Sequence, residues 1–352
     1  MENRRNPAVN KGGLTFAEFF GVETTFDLIY GLNFLTAGVH AISALIILVM
    51  FMSSEPSPSL DEVGGITVYL PSVCYTPDRN NEGRPTFTLE PQPVVSVKTY
   101  FAVIVILFFV LSAGFQFAAG IRKNGYRKRL VRNDVNIWRY AEYSLSASLM
   151  MVAIACVLTV YDFFTHMLVF LCTFLCMHLG LVADFLRYLQ GTLHFGISQD
   201  LGLGTEAYET AVNCVTSVKH LKWFVHVLSW AAIFVPYFCV FFVGYGFTAF
   251  ALWDCLADLP DDARDMPFYV HMIVILQFLL FNIFGVVQLM QFLSNTGETT
   301  PKTESALYRW FGYGVVETVQ KVGIRTEHRF ILLSLIAKSL LGWLIAANLI
   351  FT

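Results

Sequence analysis

A lysine near the middle of an apolar segment is the first residue of this sequence that suggests chemistry. Lys338 lies in RFILLSLIAKSLLGWLIAANLI, nine residues after Arg329. On a helix this separation is about 13 Å, too far for a side chain of about 6 Å to return to the polar boundary. A charge at that depth is costly unless it is paired or neutralised. Three interpretations follow: a lysine that reaches back toward the interface, an ion pair between helices, or an amine that desolvation keeps neutral and able to condense with an aldehyde.

The segment NIWRYAEYSLSASLMMVAIA offers Lys338 a carboxylate partner. Glu142 is its only acidic residue, and Ser146 follows four residues later on the same helical face. Ser334 lies one turn before Lys338 in the other segment. If both segments start on the same side of a membrane, these residues share one depth. The arrangement suits a protonated Schiff base with a carboxylate counterion, and it also suits an ion pair that only fixes helix packing.

The composition of the chain indicates that membrane-spanning helices hold these residues. The 352 residues are 56% hydrophobic and 14% charged, with a mean hydropathy of +0.59. A soluble domain carries about 25% charged residues. We predict an all-α membrane protein with a bundle of seven transmembrane helices, each of which can cross about 30 Å of hydrocarbon. The predicted spans are Phe26 to Met52, Val97 to Gly120, Asn136 to Val160, Phe163 to Leu186, Leu221 to Gly246, Phe268 to Leu293 and Phe330 to Ile350.

The distribution of basic residues predicts the orientation of this bundle. Of 23 Lys and Arg residues, 18 lie in the N-terminal arm and in residues 121–140, 187–222 and 294–329, whereas the alternate loops hold four. The N-terminus is therefore predicted in the cytoplasm and the C-terminus outside, in a multi-pass protein of the cell membrane. A G-protein-coupled ligand receptor would have the opposite orientation, so the charge bias disfavours that class of function.

The polar segments divide the chain further. Residues 1–25 are predicted to be a cytoplasmic arm, and residues 26–352 the transmembrane domain. In the outer loop at 53–96, ITVYL and PTFTL alternate as strands do and predict a β-hairpin between Ile66 and Leu89. The cytoplasmic loop at 294–329 has an apolar helical face between Ser305 and Ile324, which predicts a helix on the membrane surface.

Two cysteines are predicted outside the membrane. Cys74 lies in the first outer loop and Cys255 in the acidic segment WDCLADLPDDARDMP. The sequence leaves open whether they form a disulfide, within one chain or between two, or remain free thiols.

Two of the quoted segments resemble the matching helices of the heliorhodopsins, which are seven-helix retinal proteins with a cytoplasmic N-terminus. These segments are NIWRYAEYSLSAS and LLSLIAKSLLGW. The resemblance extends over all seven predicted spans and is weakest in the first, fourth and fifth. The charge bias predicts the same orientation independently.

The resemblance implies a retinal site around the lysine. Lys338 would hold all-trans retinal as a protonated Schiff base, and Glu142 would be its counterion. Ser334 would contact the Schiff base region, and Ser146 would lie beside the counterion. In this family the cofactor absorbs light and isomerises, and the helices then rearrange slowly.

Further site residues follow from the same resemblance. His40, in LTAGVHAIS, matches the family's buried histidine, whereas Gln116, in LSAGFQF, stands where the family usually has a second histidine. This departure argues against a pair of histidines that accepts the released proton. Thr173 stands where the family can have asparagine, and Asn282 follows Phe281 as it does in the heliorhodopsins. The resemblance makes Phe281 and Met150 pocket-lining residues, although both also fit an ordinary place in a helical core.

The expected function is light sensing, with light-gated or light-driven ion transport as the alternative. Type-1 proton pumps usually carry a carboxylate eleven residues after the counterion, where this chain has Ala153. The partners that the resemblance implies are retinal, the lipid bilayer and a second copy of the chain in a homodimer, and a cytoplasmic signalling partner would read the basic loops. We expect neither a nucleic-acid partner nor an enzymatic reaction, since HExxH, GxSxG and P-loop motifs do not occur.

Overall fold

The computed structural model describes residues 26–53, 67–76, 86–121, 135–158, 160–199, 205–246, 268–294 and 319–349. Over these residues the chain forms seven long helices and a two-stranded antiparallel sheet. The helices are α1 (Phe26–Ser53), α2 (Val97–Ile121), α3 (Ile137–Val157), α4 (Phe163–Gln199), α5 (Thr205–Tyr237), α6 (Phe268–Ser294) and α7 (Val319–Leu349), and the strands are β1 (Thr67–Thr76) and β2 (Thr86–Ser96).

Six of the helices in the described part of the chain, α1 to α6, are long and apolar enough to span a membrane. The seventh, α7, carries Glu327, Arg329 and Lys338 and does not meet the same measure of composition. It nevertheless packs against α1, α2 and α6, so its polar groups face other helices. The chain is therefore a multi-pass integral membrane protein with a rhodopsin-like helical bundle, as the sequence predicted.

Helix α3 is the centre of the bundle. In its apolar stretch 78% of the residues are buried, compared with 28–44% in the other five candidate spans. Its neighbours are α2, α4 and α6, while α7 closes the ring between α6 and α1. The sequence of α3 suits this place, because small residues such as Ser146, Ala147 and Ala153 let other helices approach closely.

The strands β1 and β2 form a ladder that pairs Thr67 with Ser96 and Thr76 with Thr86. The second strand extends beyond the predicted end of the hairpin at Leu89. The backbone N–H of Tyr69 donates to the carbonyl of Tyr161, at 3.1 Å, in the short connection between α3 and α4. The sheet therefore lies at the end of the bundle where α3 ends.

Three helices extend beyond the predicted spans. Residues 187–222, predicted as a loop, are largely helical, because α4 continues to Gln199 and α5 begins at Thr205. The two extensions lie side by side, since Leu193 and Ile197 of α4 and Ala207 and Ala211 of α5 line one open groove. Helix α7 begins at Val319 and not at Phe330, since no proline interrupts the residues between them.

Two of the predicted features fall partly or wholly outside the described residues. The predicted surface helix falls mainly on residues 305–318, which lie outside the described residues, and its last part belongs to α7. Cys255 and the side chain of Cys74 also lie outside the described residues.

Local sequence explains where α4 begins and how α5 ends. The Asp162 carboxylate caps α4 by accepting a hydrogen bond from the backbone N–H of Thr165, at 2.7 Å. In α5, Pro236 lacks the N–H that the regular pattern requires, and a π-helical turn follows over Phe238–Gly244. Because Tyr237 directly precedes this turn, the local change of pitch lies beside the interior of the bundle.

Candidate functional site

Lys338 and Glu142 form an ion pair inside the bundle. The ammonium Nζ of Lys338 on α7 lies 2.7 Å from Oε1 of Glu142 on α3. The two residues are 2% and 4% exposed. A side chain so deeply buried does not reach the membrane surface, so the first of the three interpretations of Lys338 is wrong. The ion-pair interpretation is correct for the protein without a bound molecule. The geometry of the pair also suits a lysine that carries a covalent group beside a counterion.

Helix α2 completes the polar surroundings of this pair. Lys338 Nζ donates to Oγ of Ser112 at 2.5 Å, and Nε2 of Gln116 donates to Oε2 of Glu142 at 3.1 Å. Ser112 and Gln116 are four residues apart on one helical face, so α2 contacts both members of the pair. Sequence reasoning missed Ser112, although it stands one turn before Gln116 in the same quoted segment.

Tyr143 is the second residue of the site that the sequence did not suggest. Its ring centroid is 5.2 Å from Lys338 Nζ, within the range of a cation–π contact. Its hydroxyl donates to the carbonyl of Phe330 at 2.9 Å, which fixes the ring between α3 and α7. The sequence offers no reason to place Tyr143 in the site. It directly follows Glu142, and adjacent residues of a helix point in different directions.

A cavity, which we call the lysine cavity, extends from Lys338 into the bundle between α3, α4, α5, α6 and α7. The empty space between its walls is about 900 Å³, including the part that opens outward. Ser146, Met150, Phe281 and Ser334 of the predicted site line it. Its aromatic lining residues are Tyr140, Tyr143, Trp230, Tyr237, Phe281, Phe284 and Phe330.

The residues of the lysine cavity fit a long apolar molecule that carries an aldehyde. The amine of Lys338 lies at one wall, with a carboxylate to balance a cation on its nitrogen. The remaining walls are mainly aromatic and aliphatic, as in most sites for apolar cofactors. Gly285 shapes one wall, because a side chain at this position would overlap the ring of Trp230. Retinal has this chemistry.

Five of the ten predicted site residues do not line the lysine cavity. Two of them, Glu142 and Gln116, belong to the hydrogen-bonded group around Lys338 that is described above, and the other three are His40, Thr173 and Asn282. His40 is fully buried on α1, with its ring 5.5 Å from that of Phe109, and neither ring nitrogen has a hydrogen-bond partner among the described residues. The Thr173 hydroxyl donates to the carbonyl of Val169 at 2.8 Å, and the Asn282 amide to that of Phe278 at 2.7 Å. Thr173 and Asn282 thus use their polar atoms within their own helices.

A buried group of charges lies toward the end where α3 and α7 begin, and its Arg139 stands one turn before Glu142 on α3. Arg139 Nη1 is 3.0 Å from Oε2 of Glu327, and Nη2 is 3.7 Å from Oδ2 of Asp184. Asp184 also pairs with Arg187, whose Nε lies at 2.6 Å. Arg139 is itself buried in this group and does not reach the lipid headgroups. These contacts join α3, α4 and α7.

Comparison with known proteins gives one family. The heliorhodopsin family model matches residues 29–299, about three quarters of the chain. Glu142 lies within the matched residues, whereas Lys338 lies beyond them. No curated protein matches the chain.

Proposed function

This chain belongs to the heliorhodopsin family, and on that premise we propose that it is a light sensor in which Lys338 carries all-trans retinal as a protonated Schiff base and Glu142 is the counterion. Membership in this family makes the chain a retinal protein, of the microbial rhodopsin kind, in a membrane. The attachment residue, the counterion, the retinal isomer and the sensory role belong to the proposal.

The contact between Lys338 and Glu142 supports the proposal most directly. The ion pair stands at the wall of the lysine cavity, so a molecule attached to Nζ would extend along apolar walls. Bound retinal would supply the absorption of visible light and the photoisomerisation. The protein would hold the proton on Nζ, balance its charge with Glu142 and exclude water with the aromatic walls.

The ion pair also connects the site to the rest of the bundle. Glu142 on α3 contacts α7 through Lys338 and α2 through Gln116. A change of charge at the pair alters the attraction between three helices at once, and buried charges respond strongly because the interior screens them poorly. We therefore propose that loss of the proton from Nζ starts a slow rearrangement of these helices, which a cytoplasmic partner reads.

The first test replaces the attachment residue. Lys338→Ala protein, mixed with all-trans retinal, should show no absorption band in the visible region, because no amine remains to bind the aldehyde. Lys222→Gln is the matched control, since Lys222 is also fully buried and its Nζ donates to Gln190 at 3.0 Å, away from the lysine cavity. The control should keep the band, and hydroxylamine should bleach it under light. A visible band in Lys338→Ala protein would contradict the proposal.

The second test separates a sensor from a transporter. We expect no light-evoked current in a voltage-clamped cell that expresses the protein. Ala153 is buried and provides no carboxylate at the position that pumps use. A current whose reversal potential followed the pH gradient would favour proton transport, the alternative function.

A further inference from the structure

A second cavity, which we call the polar cavity, separates the ion pair from the buried charges near the start of α7. Glu142 and Gln116 line one side of it, and Asn136, Arg139 and Glu327 line the other. It therefore lies between two carboxylates, one beside Lys338 and one on the first turns of α7. The lysine cavity does not reach Glu327, so this space is distinct from the site of the cofactor.

One buried polar atom indicates what the polar cavity holds. Gln116 is 3% exposed, and its Oε1 has no hydrogen-bond partner among the described residues, although its Nε2 donates to Glu142. A buried acceptor without a partner is costly, and an internal water is the common solution where polar groups surround enough space. The polar cavity has room for about one water molecule.

Glu327 is the carboxylate on the far side of this space. It is 4% exposed, and it accepts hydrogen bonds from Nδ2 of Asn136 at 2.8 Å and from Nη1 of Arg139 at 3.0 Å. Asp184 is equally buried and is also bound to Arg139, but it does not line the polar cavity. His40 does not line it either. Glu327 is thus the second carboxylate that a water in this cavity can approach.

We infer that a water held by Gln116 in the polar cavity connects Glu142 with Glu327, and that Glu327 receives the proton that leaves Nζ of Lys338 after illumination. The inference rests on the proposed function for the source of the proton. Glu327 would thus be the proton acceptor in a chain that has Gln116 where the heliorhodopsins usually have the second of two histidines.

The charges balance in this transfer. Before it, Lys338 and Arg139 are positive, and Glu142 and Glu327 are negative. The N–H bond at Nζ breaks with its electron pair staying on nitrogen, and Glu142, which accepts a hydrogen bond from Nζ, takes the proton and gives it up to the water. The water passes a proton on, and an O–H bond forms on the Glu327 carboxylate. Afterwards Lys338 and Glu327 are neutral, and Glu142 and Arg139 keep opposite charges across the polar cavity. The net charge of the site therefore does not change, and this matters because an uncompensated charge is costly in a buried site.

Infrared difference spectra test the acceptor. In protein loaded with retinal, a carbonyl band of a protonated carboxyl group should appear at the rate at which the visible band reports loss of the proton. Glu327→Asp should move this band in frequency. Asp184→Asn is the matched control, because it removes a buried carboxylate of the same charge group, and it should leave the band in place. A band that ignores Glu327→Asp, or that disappears in Asp184→Asn, overturns the inference.

A second variant tests the path without altering the acceptor. Gln116→Leu removes the oxygen that holds the water, so the carboxyl band should appear about a hundredfold more slowly, the usual effect of losing a positioned proton-transfer group. An unchanged rate overturns the water path. This variant also keeps the inference testable if Glu327→Asp does not fold.

A map of the retinal-free protein provides a readout that does not depend on light. At a resolution that shows ordered waters, density should lie within hydrogen-bond distance of Oε1 of Gln116, and Gln116→Leu should lack it. Ordered waters elsewhere in the bundle, with none in the polar cavity of the unaltered protein, would overturn the inference. A wild-type protein without a visible band contradicts the proposed function, whereas a normal band without a Glu327 signal contradicts this inference alone.

Discussion

At the scale of single residues, the site depends on a charge pair that a membrane would otherwise disfavour. Burying an ammonium or a carboxylate alone is costly, and the pair is tolerated because each partner also has a hydrogen bond to α2. Removing one partner leaves the other uncompensated. The pair is therefore sensitive to single substitutions. At Glu142 a substitution can be followed through the absorption spectrum of the protein loaded with retinal.

Replacement of Glu142 should change the absorption of the protein loaded with retinal. Glu142→Gln removes the negative charge 2.7 Å from Nζ, so we expect the absorption maximum to move and its dependence on pH to change. The measurement is a visible spectrum recorded across a pH series. Asp184→Asn is a suitable control, since Asp184 pairs with Arg187 and does not line the lysine cavity. An unchanged spectrum in Glu142→Gln protein would assign the counterion to another carboxylate.

At the scale of elements, close packing of α7 against α2 places Lys338 beside Ser112. Gly342 on α7 faces the rings of Phe108 and Phe109 on α2, and a side chain at Gly342 would overlap Phe109. Both rings are fully buried and have little room to turn. Gly342 therefore allows α7 to approach α2 as closely as the hydrogen bond from Lys338 to Ser112 requires.

A small side chain at Gly342 should destabilise the bundle. Gly342→Ala forces the buried ring of Phe109 to move, and such overpacking costs about 1–3 kcal/mol. The thermal unfolding midpoint in detergent, at one fixed scan rate, should fall. Gly114→Ala is the control, because nothing lies within 4 Å of the added atom, and alanine stabilises a helix by up to about 1 kcal/mol relative to glycine. Equal midpoints for the two variants would show that α7 does not pack as described.

At the scale of the whole molecule, the two ends of the helical bundle differ in the elements and side chains that they carry. Helices α1, α3, α5 and α7 begin at one end, where Asn33, Glu327 and Arg139 surround the polar cavity. The sheet and the connection between α3 and α4 lie at the other. The basic residues predict that the first end faces the cytoplasm, so the polar cavity and the long extensions of α4 and α5 would lie on that side.

Cysteine labelling tests this orientation. Cys214 is exposed near the start of α5, so a maleimide that cannot cross membranes should leave it unlabelled in intact cells and label it after the membranes are opened. Mass spectrometry of the peptide identifies the labelled site. Cys156 and Cys176 are buried and should react in neither case, which controls for unfolding. Labelling of Cys214 in intact cells would show that this end of the bundle faces outward, opposite to the predicted orientation.

The sequence alone determined the features that depend on a short stretch of chain. Six of the predicted spans begin or end close to the observed helices, because apolar length is a local property. The extended helices α4, α5 and α7 were missed at their ends, since contact between neighbouring helices and not hydropathy decides how far they continue. Lys338 and Glu142 were identified for the same local reason, as isolated charges in apolar segments.

The tertiary structure decided which polar groups meet. Arg139 and Glu327 are 188 residues apart, and nothing in either segment indicates their contact at 3.0 Å. Ser112, Tyr143 and the polar cavity became apparent only once the rotation of each helix about its axis was known. The physical reason is that a helix presents its polar residues in several directions, and the packing of its neighbours selects which of these directions leads to the site.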